Sequence, residues 1–189
     1  IYIALLLVIV KTSFGQQVYI DSLKKELAVN KNDTARLILF GKLTDVYIEV
    51  NPDSAYYFSG QMLDIAKKLD LKLEQAAALG QMGYALLNLG NYPRSLQNLL
   101  SAISISQNTG SEKNILSARF PPTDEFIDRA SSPAMQRLSK MGRTFQYLGI
   151  LYGNAGNFEK ARDNYKTAIQ YAEQANNLRL LSITYATLG

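Results

Sequence analysis

The chain has 189 residues with no cysteine, histidine or tryptophan, and 47% of its positions are hydrophobic against 19% charged. Without histidine or cysteine, Ser-His-Asp and Cys-His catalysis, histidine or thiolate metal ligation, disulfides and a lipidated cysteine are excluded within these residues. A net charge of +4 comes from 20 basic and 16 acidic residues, scattered as singles and pairs such as Lys24-Lys25 and Lys67-Lys68, which argues against a nucleic-acid platform.

Ile1 to Val10 is wholly apolar, Lys11 follows, and Ser13-Phe14-Gly15 sets small residues three and one before a cleavage point ahead of Gln16. Residues 1–15 therefore read as part of a secretory signal peptide. The rival readings are an uncleaved membrane anchor, which needs about 20 apolar residues and so further sequence upstream, and a buried strand. No methionine opens the chain and no basic segment precedes the run, so the true start is expected further upstream.

Beyond this segment, apolar residues at three- and four-residue spacing predict helices over 21–29, 34–49, 54–69, 71–89, 93–107, 133–155, 158–175 and 178–189. No strand pattern competes. Residues 16–33 form an amino-terminal capping helix in this scheme. Leu43, Tyr47, Ala55 and Met62-Leu63 follow, with Asn51-Pro52-Asp53 as the turn between two helices.

Residues 82 to 103, MGYALLNLGNYPRSLQNLLSAI, then reappear as residues 148 to 169, LGILYGNAGNFEKARDNYKTAI. Each shared position has a physical reason. Gly83 and Gly149 remove the Cβ that would hold two helices apart. Gly90-Asn91-Tyr92 and Gly156-Asn157-Phe158 end one helix in residues that tolerate a left-handed backbone, then supply an aromatic to staple the next helix's entry. Pro93 suits a first helical position, and Ser95/Ala161 with Ala102/Ala168 keep the second helix narrow where its partners cross. Such a pair cannot bury its apolar face alone, so copies stack.

This pattern resembles the tetratricopeptide repeat. The resemblance implies an all-α fold, a right-handed α-solenoid of antiparallel helix pairs, and a surface that holds a protein or peptide. Repeats are expected over about 37–75, 76–106 and 134–181 within a solenoid covering 34–189, with Tyr185, Leu188 and Gly189 opening a fourth repeat at 182–189. That fourth copy stops mid-motif, so the sequence is expected to continue. Leu43 to Met82 is 39 residues and Leu148 to Leu188 is 40, longer than the 34 of the commonest form. The wider gap from Met82 to Leu148 places an insertion at about 107–133, where QNTGSEKN is polar, Pro121-Pro122 interrupts helix, Thr123 to Ala130 suits one short helix, and Ser131-Ser132-Pro133 caps the next.

The inner face of such a solenoid, lined by the first helix of each pair, is the candidate peptide-binding groove. Counting from the packing positions, it comprises Asp45 and Glu49 in repeat one, Tyr84 and Asn88 in repeat two, and Arg143, Gln146 and Asn154 in repeat three. Asn88 and Asn154 occupy equivalent places, and a carboxamide can both donate to and accept from an extended backbone. The alternative is that each satisfies the end of its own helix. Arg137, Lys140 and Arg143 run along one helix face and read as a solvated face. Asp124, Glu125 and Asp128 in the insertion read as solvated carboxylates rather than a cation site, and Phe120 to Phe126 is a second candidate surface. No catalytic residue, cofactor site or metal site is expected, and Gly80-Gln-Met-Gly83 lies within a predicted helix rather than in a phosphate cradle.

An export segment, then DSLKKELAVNKNDTARLILFGKLTDVYIEVNPDSAYYFSGQMLDIAKKL, then long-period repeats, is an order similar to the amino-terminal sensory region of bacterial membrane-bound histidine kinases that carry tetratricopeptide repeats. That resemblance implies an exported, periplasmic or cell-surface module whose parent is membrane-anchored downstream, with kinase motifs beyond these residues. The alternative is a secreted or surface-associated assembly scaffold with no signalling output.

Overall fold

The computed structural model describes the backbone of residues 2–116 and 132–188, and side chains from residue 15 onward. Among the described residues eight α-helices follow one another: α1 (Tyr2–Val29), α2 (Asp33–Tyr47), α3 (Pro52–Lys68), α4 (Lys72–Asn88), α5 (Tyr92–Gln107), α6 (Pro133–Asn154), α7 (Phe158–Gln174) and α8 (Leu178–Leu188). A 3-10 turn at Thr109–Glu112 follows α5. Among the described residues there is no strand, and no helix is long and apolar enough to cross a membrane.

The pairs α2/α3, α4/α5 and α6/α7 are three helical hairpins, and α8 packs on α7 and α6 as the first helix of a fourth. Each helix packs most against its sequence neighbours, so the core is a continuous strip rather than a central ball. The segment expected as a helix at 21–29 is the carboxy-terminal part of the longer α1. Its Ile20 and Leu23 bury against Leu39 and Leu43, which makes it a cap over the first hairpin. Leu37, Phe40, Met62 and Leu71 fill the next layer, and Leu99, Ile103, Tyr147 and Leu148 the one after. The expected short helix at Thr123–Ala130, with Asp124, Glu125, Asp128 and the Phe120–Phe126 surface, lies outside the described residues.

The glycine positions behave as their spacing implied. A Cβ on Gly83 would stand 2.7 Å from Leu99 Cδ2, and one on Gly149 would stand 2.5 Å from Tyr165 Cε1. Ser95 strengthens the first crossing by donating its hydroxyl to the Gly83 carbonyl at 2.7 Å. Gly90 and Gly156 have φ of +75°, each closing a corner in which the following asparagine N–H reaches back five residues to the carbonyl of Leu86 or Tyr152.

The same corner recurs between repeats, where Asp70 (φ 53°) and Asn176 (φ 51°) take the glycine's place. In three of the four corners the next residue, Asn91, Asn157 or Asn177, also caps the following helix by accepting from the N–H three residues on. One residue thus ends one helix and begins the next. The aromatic staple does not hold throughout: Phe158 is 76% exposed, because the asparagine already fixes the entry of α7.

Candidate functional site

Helices α2, α4, α6 and α8 present their inner faces to one groove of about 350 Å³. From α2 and the turn just after it come Asp45, Ile48 and Glu49; from α4, Gln81 and Tyr84; from α6, Arg143, Gln146, Tyr147 and Ile150; from α8, Arg179, Ile183 and Thr187. Five of the seven residues anticipated from sequence, Asp45, Glu49, Tyr84, Arg143 and Gln146, are therefore brought together. Asn88 and Asn154 are exposed at the last turns of α4 and α6, apart from this lining.

A ladder of side chains joins the first two inner helices. Gln81 Nε2 donates to Asp45 Oδ1 at 2.8 Å, Tyr84 OH donates to Glu49 Oε1 at 2.8 Å, and Asn88 Nδ2 donates to the Ile48 carbonyl at 2.9 Å. Asn88 thus caps the end of the neighbouring repeat's helix, supplying one of the donors that α2's last carbonyls lack. This differs from both expectations for it. Its amide donates to the neighbouring repeat rather than to its own helix end.

Across the second interface the Tyr84 and Tyr147 rings lie parallel, 4.4 Å apart with 4° between planes. Arg143 Nε donates to Tyr147 OH at 2.7 Å, and its guanidinium lies 5.7 Å from that ring. The floor is therefore a stacked aromatic pair, tied by hydroxyls to Glu49 on one side and Arg143 on the other. Burial and the neighbouring Glu49 carboxylate raise the Tyr84 phenol well above its ordinary pKa of 10.0.

Beneath the floor, Lys140 Nζ and Glu74 Oε1 form an ion pair at 3.3 Å, both residues 3% exposed, bridging α6 and α4. Arg137 donates to Glu112 Oε1 at 2.6 Å and to the Ser106 carbonyl at 3.2 Å, fixing the 3-10 turn against α6. The expectation that Arg137, Lys140 and Arg143 form a solvated face is corrected here. The inner helix α6 is sandwiched between α4, α5 and α7, so a basic row along it becomes one buried ion pair, one partly buried structural pairing and one groove residue.

Sequence reasoning passed over Gln81, Tyr147, Ile150, Arg179 and Ile183. Gln81, Tyr84 and Asn88 step by three and four, as do Arg143, Tyr147 and Ile150, and Arg179, Ile183 and Thr187 step by four on the next inner helix. Applying the same face count along α4 and α6, and extending it to α8, would have found them.

The layered hairpins and shared inner groove define a tetratricopeptide-repeat module, a class of repeat that serves protein interaction. The SusR N-terminal TPR domain matches residues 15–115, more than half of the chain, and the chain belongs to that family. A Rap protein complexed with Competence and Sporulation Factor shares the fold at 15% identity and a TM-score of 0.69, over 94% of this chain and 43% of that one. This chain thus spans less than half the length of that relative. BtubC (BKLC) from P. vanneervenii aligns at 16% identity and a TM-score of 0.46, over 88% of this chain and 76% of that one. No curated protein matches the sequence.

Proposed function

We propose that the chain is the ligand-recognising module of a transmembrane signalling protein, exported to the periplasm or cell surface, and that a peptide or protein bound in the groove sets the state of an output module such as a histidine kinase. The observation that carries this reading is the convergence of four successive inner helices on one groove. A ligand lodged there touches four repeats at once, so its binding energy favours one arrangement of the repeats over others. The Rap relative was solved with a bound factor, which supports a binding role for the shared architecture. The apolar start of the chain and Ser13-Phe14-Gly15 support export.

The test is a pull-down from the native host's envelope fraction, with the full-length protein as bait. Glu49→Lys with Arg179→Glu reverses two exposed groove charges; because Glu49 also accepts from Tyr84 OH, the variant should lose about 1 kcal/mol of stability, and recovery is compared at a temperature where both proteins are fully folded. The wild type should recover a partner that this variant loses. Equal recovery by both would overturn the groove assignment. Amino-terminal sequencing of exported protein should begin at or near Gln16, and recovery of upstream residues would overturn cleavage. A membrane-spanning segment downstream of the repeats would favour signalling over a purely structural scaffold.

A further inference from the structure

A second, much smaller cavity of about 20 Å³ lies between α4 and α6, sharing Gln81, Arg143 and Tyr147 with the groove. Gln81, Lys140 and Thr144 line it, and each is more than nine-tenths buried. Among the described residues, Gln81 Oε1 and Lys140 Nζ are buried side-chain atoms that no hydrogen bond satisfies, although Lys140 keeps its ion pair with Glu74 at 3.3 Å. Buried polar atoms are nearly always bonded, to water where not to protein. Two such atoms on one cavity point to a shared partner.

Size and charge restrict what that partner is. A buried water needs roughly 10–15 Å³ and usually makes about three hydrogen bonds, so the cavity has room for one water and not for two. The Lys140 ammonium disfavours a cation. An anion is disfavoured by the lone pairs of two oxygens. Thr144 Oγ1 gives its proton to the Lys140 carbonyl at 2.8 Å, which leaves it able to accept. Gln81 Nε2 donates to Asp45 Oδ1, and an ionised carboxylate only accepts, so the other end of the amide is its oxygen. The occupant must therefore be small, neutral and able both to accept and to donate. We propose that this cavity is the site of one structural water, which accepts from Lys140 Nζ and donates to Gln81 Oε1 and Thr144 Oγ1. It completes a polar chain running from Asp45 through Gln81, the water and Lys140 to Glu74, so α2, α4 and α6 are tied by one network rather than by separate pairs. The site does not depend on what the groove binds.

A crystal structure of the 189-residue chain tests this, and one water should stand about 2.5–3.2 Å from Lys140 Nζ, Gln81 Oε1 and Thr144 Oγ1. Gly80→Ala supplies a second readout. Gly80 lines the cavity, and a Cβ there meets only Thr144 Oγ1, at an ordinary contact distance of 3.5 Å, so the methyl fits and takes the water's place. Gly80→Ala should therefore lower the urea midpoint, although alanine suits a helix interior better than glycine. Gly60→Ala, whose Cβ meets nothing within 4 Å, should raise it. In a Gln81→Met background, where one of the water's acceptors is already gone, the loss caused by Gly80→Ala should shrink. A methyl that merely crowds its neighbours would cost the same in both backgrounds, and that equal loss overturns the proposal. So does a Gly80→Ala midpoint raised as far as that of Gly60→Ala, and so does a wild-type cavity without density at a resolution that shows other buried waters.

Discussion

Gly149 and Gly60 differ by what surrounds them. Gly149 faces the Tyr165 ring across a helix crossing, while a Cβ on Gly60 meets nothing within 4 Å. Gly149→Leu should therefore destabilise the domain by about 1–3 kcal/mol, the usual cost of overpacking. Gly60→Ala, inside α3, should raise stability by about 0.5–1 kcal/mol through helix propensity. Urea denaturation of both variants checks the pair. Gly110 would be the weaker control for the crossing, since its Cβ would stand 2.9 Å from Asn108 Oδ1, which also accepts from the Gly110 N–H. Tyr84 offers a residue-level test in pH. The folded chain keeps its phenol protonated above the ordinary value of 10.0, so as pH rises the unfolded chain releases that proton first. The associated stability is complete below about pH 10 and is lost as pH climbs toward the folded value. Tyr84→Phe should lower stability at neutral pH by about 1 kcal/mol through the lost bond to Glu49 and should flatten the decline above pH 10. The raised Tyr165 phenol is common to both proteins and cancels in the comparison.

At the scale of elements, the corners do more than connect. Asn157→Ala removes the cap of α7 and should cost about 1 kcal/mol, whereas Asn154→Ala, three residues earlier and exposed, should leave the thermal melt unchanged. Asn88→Ala should fall between them, because it removes a rung between repeats rather than a cap within one. The helices, the close crossings at Gly83 and Gly149, and the use of inner helices for the groove were all legible in the sequence, since each follows from a local period or a missing Cβ. The rungs were not. Which carbonyl Asn88 reaches depends on how far one hairpin rotates on the next, and no spacing within a single repeat encodes that angle. The basic row on α6 was misjudged for a related reason: spacing shows that three charges share a face but not that another helix covers it.

For the molecule as a whole, the interface between the second and third hairpins holds a buried ion pair. Glu74 and Lys140 are buried together there, and removing one leaves the other without its counter-charge. Glu74→Leu or Lys140→Met alone should cost about 3–5 kcal/mol, while the double variant should recover most of that loss or exceed wild-type stability, as apolar replacements of buried pairs often do. A double-mutant cycle in guanidinium chloride reads both results.

Stability is then the wrong measure of what that pair contributes. A chain assembled from look-alike hairpins can collapse with its units in the wrong sequence, or exchange a unit with a neighbouring molecule, and such errors characterise repeat proteins. Helix α4 docked anywhere but on α6 would bury Glu74 without its lysine, and α6 docked elsewhere would bury Lys140 without its glutamate. The pair works as a lock and key between two particular units of an otherwise interchangeable series. The apolar double variant should accordingly melt as high as the wild type yet refold at high concentration into a mixture of monomer and exchanged dimer, resolved by size-exclusion chromatography, where the wild type returns as a single species.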